Sequence, residues 1–235
     1  MKIKKFLFAL VLSGNNANRA PSGAFVLLES RAMYMPKQFN RPEHAAAIMR
    51  EHPLASLVTT DDSGFPFMAY LPLRLQEEGG QPTLLLGHCA RGNPLWAHLQ
   101  ARPMALASFM GPQAYMSPQV YDDLQRVPTW SYLAVQARVQ ARLLEGEEAK
   151  DALLKQLIAD HEPPYAAQWR ALPEDYTGKM LGAITAFELR IQDLQCAVKL
   201  NQHRPEAHAA MHAAYAQGNE QEQALAGWMQ KLGLV

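Results

Sequence analysis

The sequence is poor in cysteine, since its 235 residues include only Cys89 and Cys196. Two cysteines so far apart in the chain exclude the disulfide framework of a small secreted domain. They also exclude a zinc site built on a CxxC pair, because no such pair exists. We therefore expect both cysteines to be small, buried apolar residues.

Several short functional motifs are missing as well. The chain has no GxSxG, no Walker motif and no GxGxxG, which disfavours the familiar hydrolase and nucleotide-binding folds. His161-Glu162 is followed by two prolines instead of the helical xxH of a zinc peptidase. His88 and Cys89 are neighbours on a predicted strand and point to opposite faces, so they are poor co-ligands. We predict no metal site and assign no catalytic residue.

The chain has no excess of charge of either sign, because 22 Lys and Arg balance 22 Asp and Glu. Residues 1–32 hold five bases and one acid, which leaves 17 bases and 21 acids in residues 33–235, a net charge of −4. An acidic body lacks the electrostatic footprint of a protein that binds nucleic acid by charge alone.

The apolar run at the N-terminus, FLFALVL, has seven residues and is too short to span a bilayer. It follows MKIKK and resembles the start of a signal peptide, but no small-x-small cleavage site comes after it. Residues 1–32 are therefore either a secretory leader or an upstream extension of a protein that folds from about Met33 or Met35. We favour the extension, which predicts a cytoplasmic protein without membrane contact.

Short strands with turns between them dominate the rest of the sequence. LASLVTT and FPFMAYLPL flank the turn DDSG and predict a hairpin. Further strands are predicted for TLLLGH, PMALASFMG with QAYMS, TWSYLAVQARVQARLLE and TAFELRIQDLQCAVKL. Helical spacing indicates helices at residues 41–52, 93–100, 145–160, 173–181 and, as a split pair, 205–232. This pattern predicts a mainly β fold, an antiparallel barrel with added helices.

We divide the chain into an extension (1–32), a barrel domain (33–200) and a C-terminal helical segment (201–235). The second helix of that segment begins with Glu220 and Glu222, where a helix that reads the major groove needs Arg, Lys, Asn or Gln. Leu225, Trp228 and Met229 give the same helix a packing face. We interpret the helix pair as a structural cover of the barrel.

The stretch GHCARGNPLW joins a predicted strand to a predicted helix. Asn93 is a good N-cap and Pro94 suits the first helical position, so free N–H groups and the helix dipole face the loop. The loop carries Arg91, and Gly92 permits close approach of a ligand to the backbone. The pattern fits either an anion site or an ordinary capped helix with a solvated arginine.

Two later segments have similar alternatives. Trp130, in VPTWSY, is either a core residue or a flat wall against an aromatic ligand. Lys199, Gln202 and Arg204, which follow the last predicted strand, form either a solvated basic turn or a set of ligand contacts.

Five segments in order resemble the PaiB-type FMN-binding negative transcriptional regulators: MYMPKQF (33–39), GHCARGNPLW (87–96), GPQAYMSPQVY (111–121), VPTWSY (127–132) and KLNQHRPE (199–206). The resemblance covers residues 33 to about 228. It implies an FMN-binding split barrel, a six-stranded Greek-key fold related to pyridoxamine-phosphate oxidases. It also implies a bacterial homodimer with FMN at the subunit interface, and repression of degradative-enzyme and sporulation genes.

The same resemblance implies which residues contact FMN. Arg91 is expected at the phosphate, His88 and Asn93 nearby, and Trp130 beside the isoalloxazine or at the dimer seam. Lys199, Gln202 and Arg204 are expected as further contacts from the partner subunit. The family usually has Ser in place of Asn201 and Asn in place of His203.

Three functions follow from these observations. The first is a flavin- or redox-responsive regulator of transcription, with DNA as a partner by resemblance. The second is an FMN-dependent oxidoreductase on the same fold, with the chemistry carried by the cofactor. The third is a protein that binds another ligand, such as haem.

Overall fold

A computed structural model of the protein describes residues 33–123 and 125–235. The predictions for residues 1–32, a leader or an extension, lie outside the described residues. Within the described residues, no helix is long and apolar enough to cross a membrane.

The strands and helices of the described chain follow one another in sequence. The strands are β1 (Leu54–Thr60), β2 (Pro66–Pro72), β3 (Arg74–Glu78), β4 (Gln81–Ala90), β5 (Met104–Met116), β6 (Thr129–Leu144) and β7 (Ile184–Lys199). The α-helices are α1 (Ala45–Glu51), α2 (Leu95–Ala101), α3 (Glu147–His161), α4 (Tyr165–Ala171), α5 (Glu174–Gly182), α6 (His208–Ala216) and α7 (Glu220–Lys231).

All seven strands form one sheet in the order β2-β1-β5-β6-β7-β4-β3, and every pairing is antiparallel. The two edge strands, β2 and β3, are consecutive in the chain and are separated by Leu73 alone. The segment 66–78 therefore joins both edges of the sheet, which closes the sheet on itself as a barrel. The predicted mainly β antiparallel barrel is confirmed.

The strand count differs from the six that the resemblance implied. The segment 66–78 changes its partner at Leu73, from β1 on one side to β4 on the other. The amide of Leu73 bonds to the carbonyl oxygen of Pro53 at the change, and its side chain is buried. One continuous stretch of chain therefore counts as two strands.

Alternation of apolar and polar residues explains the barrel core. On β6, Leu133, Val135, Ala137 and Val139 are fully buried, whereas Gln136 between them is partly exposed and Arg138 is exposed. The predicted break of β5 at Gly111-Pro112 is a bulge inside one strand, where the register shifts between Met110 and Gln113. Both cysteines are buried as predicted, and burial raises the pKa of the Cys196 thiol to about 12.

The predicted hairpin and the predicted helices are all present. The structure adds one helix that was not predicted, α4, between α3 and α5. Leu225, Trp228 and Met229 of α7 are buried against the barrel, which supports the interpretation of that helix as a cover. Asn219 and Glu222 begin α7 with a reciprocal capping box. The helix therefore has a well-defined start and a buried face.

Candidate functional site

A cavity of about 400 Å³ opens where β5 and β7 end and β6 begins. Its walls come from three distant parts of the sequence: Gln38, Phe39, Met116, Tyr121, Gln125, Arg126, Val127, Thr129, Trp130, Ser131, Lys199, Asn201, His203 and Arg204. Three of the predicted contacts, Trp130, Lys199 and Arg204, meet here. The lining has three full cations and no carboxylate, so the cavity favours an anionic ligand.

Lys199 is the last residue of β7, directly opposite Tyr132 of β6. Its Nζ donates a hydrogen bond to Oγ1 of Thr129 at 2.7 Å and lies 5.7 Å from the centre of the Tyr132 ring. Desolvation lowers the pKa of Lys199 from its ordinary value. Both of these contacts of the Lys199 ammonium group are therefore with neutral groups, a hydroxyl and an aromatic ring.

Arg126 lines the same cavity and was missed by sequence reasoning. Its guanidinium carbon lies 4.9 Å from the centre of the Tyr121 ring, and its Nη2 lies 2.6 Å from Oδ2 of Asp123. Its Nε is buried and has no hydrogen-bond partner among the described residues. A polar loop offers no periodic signal, so nothing in the local sequence distinguishes Arg126 from a solvated arginine.

Trp130 lines the cavity, and 48% of its surface is exposed. Its Nε1 donates to Oε1 of Gln113 at 2.8 Å, and its ring packs edge-on against Tyr115 at a centroid distance of 6.3 Å. The core interpretation of Trp130 is therefore wrong. A fixed, half-exposed indole offers a flat apolar face to a planar ligand.

Gln202 makes backbone contacts next to the cavity. Its Nε2 donates to the carbonyl oxygen of Val198, and its Oε1 accepts from the amide of Leu200. These bonds hold the turn after β7, in which Asn201 has a φ of 61°. Asparagine tolerates this left-handed conformation better than most residues, and its Nδ2 also donates to the Tyr121 hydroxyl at 2.9 Å. The substitution of Asn201 for the usual Ser is thus compatible with the turn.

Arg91 and Asn93 lie in the turn between β4 and α2. The Asn93 side chain accepts from the amide of Leu95 at 3.0 Å, and so it caps the helix as predicted. The indole of Trp96 donates to the carbonyl oxygen of Arg91 at 2.9 Å, and the exposed Arg91 guanidinium lies 6.0 Å from that ring. The turn is ordered, and the side chain of Arg91 is open to solvent.

This turn and the cavity lie at opposite ends of β7. The amide of Arg91 bonds to the carbonyl oxygen of Ala183, directly before the first residue of β7. Lys199 is the last residue of that 16-residue strand. A strand of this length measures about 50 Å along its path. The predicted site residues therefore fall into two separate groups within one chain.

His88 is close to the turn in sequence, but its side chain faces α3 and α4. It lines a second, mainly apolar cavity of about 340 Å³ with residues such as Leu157, Tyr165 and Trp169. Its Nδ1 is buried and has no partner among the described residues, and desolvation lowers the pKa of the imidazole. His88 is therefore held as a neutral side chain. Within the described residues, no group of three metal-binding side chains is found.

Comparison with known proteins places these features in a family. Residues 33–193 match the family described as "Putative FMN-binding domain". The chain is also 32% identical over 179 residues to the Bacillus subtilis "Protease synthase and sporulation protein PAI 2", covering 74% of this chain and 84% of that protein. The chain belongs to the PaiB-type FMN-binding family. The predicted family and its cofactor, FMN, are thereby confirmed.

Two solved structures share the fold of this family member. The flavocytochrome Anf3 of Azotobacter vinelandii is 18% identical, with a TM-score of 0.54 over 70% of this chain and 71% of that one. The FAD and heme binding protein of Mycobacterium smegmatis is 19% identical, with a TM-score of 0.52 over 68% of this chain and 71% of that one. At this identity the likeness is one of fold.

The residues of the chain fit an FMN molecule. Its phosphate needs cationic side chains, which both the Arg91 turn and the cavity offer. Its isoalloxazine ring needs a flat apolar surface, which Trp130 offers. Arg126 and Lys199 also line the cavity and add positive charge for an anionic group.

Proposed function

We propose that this protein is a homodimeric, FMN-binding regulator whose flavin site is built by two subunits. One subunit contributes the Arg91 turn, with Asn93 as its cap. The other contributes Trp130, Lys199 and Arg204. The protein would respond to the flavin or to its redox state.

The observation that carries this proposal is the separation of the two groups of residues along β7. Arg91 lies beside the start of β7 and Lys199 is its last residue, and the path along this strand measures about 50 Å. One flavin nucleotide that touches both groups would take them from different chains. In a two-fold symmetric dimer this arrangement gives two identical sites.

An exposed apolar surface next to Trp130 supports the dimer. The strand registers put Tyr70 and Met68 of β2 and Met104 and Met110 of β5 on the same outer face as Trp130 of β6. All five side chains are about half exposed or more. Exposed apolar side chains gathered on one outer face of an antiparallel sheet are typical of a protein interface. A second copy of the chain would cover this face and bring a partner's Arg91 turn towards the cavity.

Mixing two defective variants tests the shared site. Arg91→Ala and Lys199→Met homodimers should each bind FMN weakly, because every site lacks one contact. Heterodimers formed by unfolding and refolding the mixture have one site with both defects and one intact site. Half of the dimers in an equal mixture are heterodimers, so about a quarter of all sites should regain the affinity of the unmodified protein.

The outcome of the mixing experiment separates the shared site from a site within one chain. If each site lay in a single subunit, every chain in the mixture would carry one defect and no high-affinity site would return. A mixture of Arg91→Ala with Arg91→Ala labelled by a different tag is the matched control. Sedimentation of the same samples checks that dimers form at all.

The regulatory role rests on the family and on the Bacillus relative, which carries "protease synthase and sporulation" in its name. A visible spectrum of the freshly purified protein, followed by a DNA gel shift with oxidised and reduced flavin at a stated salt concentration, tests it. A flavin-dependent shift supports a regulator that acts on DNA directly. NAD(P)H-driven bleaching of the bound flavin, without any shift, would instead support the FMN-dependent oxidoreductase.

A further inference from the structure

We propose that Arg126 and Lys199 form an anion site inside the cavity, and that its ligand is a phosphate group. The inference deepens the proposed function where the phosphate belongs to FMN. If the phosphate belongs to another molecule, the anion site is independent of the proposed flavin binding. Arg126 has no role in the flavin contacts inferred from the sequence.

The three cations of the cavity, Arg126, Lys199 and Arg204, are only partly neutralised. Arg126 is paired with Asp123 at 2.6 Å, and Glu206 lies 4.0 Å away at the rim. Glu206 is shared, since it also lies 3.9 Å from Arg204. Lys199 bonds to the hydroxyl of Thr129 and is in no ion pair among the described residues. The three cations therefore have two carboxylate partners, Asp123 and Glu206. The positive charge that is not paired is that of Lys199 in the cavity wall.

The position of Arg126 is fixed before any ligand arrives. The Tyr121 ring supports its guanidinium at 4.9 Å, and Asn201 holds the Tyr121 hydroxyl at 2.9 Å. An arginine with a fixed guanidinium loses little side-chain entropy when an anion binds. Its Nε is buried and has no partner among the described residues, so desolvation of this donor costs free energy in the folded protein. A phosphate in the cavity supplies a counter-charge for Lys199 and for the partly exposed guanidinium of Arg126.

Phosphate suits this pair of residues better than a neutral ligand. A guanidinium presents its N–H groups as a planar fork, and an ammonium group acts as a point charge. Together they can contact two oxygens of one phosphate. A carboxylate has fewer oxygens to share between the two cations.

Two variants of the full-length protein test the site in opposite directions. Arg126→Gln removes the cation, and it should weaken binding of phosphate about tenfold or more. Asp123→Asn removes the carboxylate that competes with the ligand, and it should strengthen binding of phosphate. Arg170→Gln is the matched control, because Arg170 is an exposed arginine on α4 outside the cavity. A purely structural role for Arg126 would not give a gain of affinity in Asp123→Asn.

Three probes distinguish the source of the phosphate: FMN, riboflavin and inorganic phosphate. If the site holds the FMN phosphate, Arg126→Gln weakens FMN but leaves riboflavin unchanged. If it holds a separate phosphate, the variant leaves FMN unchanged and loses the binding of inorganic phosphate measured by calorimetry against chloride of equal ionic strength. If it changes neither, with its melting temperature intact, the proposal is wrong. Absence of FMN binding by the unmodified protein would overturn the proposed function, and the inorganic phosphate measurement would still decide this inference.

Discussion

Nζ of Lys199 lies 2.7 Å from Oγ1 of Thr129, which joins the end of β7 to the start of β6 inside the cavity. The ammonium group is partly desolvated, and its pKa is lowered as a result. Its hydrogen-bond partner is neutral, so the interaction does not offset the charge. A cation kept in this state costs stability in the free protein and is available to an anionic ligand.

Replacement of Lys199 by Met should have different effects on the stability of the protein and on its affinity for FMN. Met keeps much of the aliphatic side chain against Tyr132 and removes the desolvated charge, so the melting temperature of the flavin-free protein should stay the same or rise. Affinity for FMN should fall about tenfold, because a charge-assisted contact is lost. Calorimetric melting and a flavin fluorescence titration measure the two effects.

The exposed Lys179 on α5 provides the control for this substitution. Lys179→Met should change neither the melting temperature nor the affinity for FMN, because the Lys179 side chain is 74% exposed and lies 3.9 Å from Asp175. A large loss of stability in flavin-free Lys199→Met would contradict our account of Lys199.

Arg91→Ala should weaken FMN binding by about 10–100-fold, which corresponds to the loss of one charge-assisted contact to phosphate. Binding of riboflavin, which has no phosphate, should be nearly unaffected. The Arg91 side chain is exposed and its guanidinium lies 6.0 Å from the Trp96 ring, so stability should change little. An unchanged affinity for FMN would show that the phosphate lies elsewhere.

The two glycines of the GHCARGNPLW segment should behave differently. A Cβ at Gly87 would lie 2.6 Å from Cδ2 of buried Leu73 and 3.0 Å from the Phe187 ring. Gly87→Ala should therefore cost about 1–3 kcal/mol of unfolding free energy, since the core has to move at the point where the barrel closes. A Cβ at Gly92 meets no atom within 4 Å.

Gly92→Ala should consequently keep or slightly raise the free energy of unfolding, by well under about 1 kcal/mol. Urea denaturation of both variants measures the contrast. Equal stabilities for the two would contradict the packing described around Leu73. If Gly92→Ala lowers only the affinity for FMN, the ligand approaches the backbone of this turn closely.

Stability should fall in mild acid because of two histidines. Desolvation lowers the pKa of both His52 and His88 in the folded protein. In the unfolded chain both take up a proton as the pH falls through their ordinary value of about 6.5. The folded state takes up these protons only at lower pH. Stability is therefore lost as the pH falls from about 6.5 towards the lowered pKa values of the folded protein, and it is unaffected above about 6.5.

Urea denaturation between pH 7.5 and 5 measures this loss for the unmodified protein, His52→Gln, His88→Gln and the double variant. Each single substitution should flatten the dependence on pH, and the double variant should flatten it further. An equally steep loss in the double variant would assign the effect to other groups.

Trp130→Phe should report the position of the isoalloxazine. FMN should quench tryptophan fluorescence in the unmodified protein, and the quenched fraction should shrink in the variant because the half-exposed indole is gone. Affinity for FMN should fall by about fivefold, since a smaller ring remains. Trp169→Phe is the control, because that indole is buried and donates to Asp151 at 2.8 Å. Identical quenching in both variants would remove Trp130 from the site.

The sequence was sufficient for features that depend on close neighbours in the chain. Alternation along Leu133 to Val139 predicted which face of β6 is buried, because successive side chains of a strand point to opposite sides. Asn93 followed by Pro94 predicted the start of α2, because capping involves residues two or three positions apart. The ordered set of five segments identified the family, although each segment alone is weak.

Other features were decided by the tertiary structure alone. Arg126 enters the cavity because Tyr121 and Asp123 hold it there, and no local pattern marks such a contact in a polar loop. His88 turns towards α3 and α4, although it is three positions from Arg91. The order of the strands sets the distance between Arg91 and Lys199, and with it our proposal of a site shared by two subunits. The sequence determined the elements and the family through short-range chemistry, whereas the positions of the charges depend on which distant strands pair, and pairing is a property of the whole barrel.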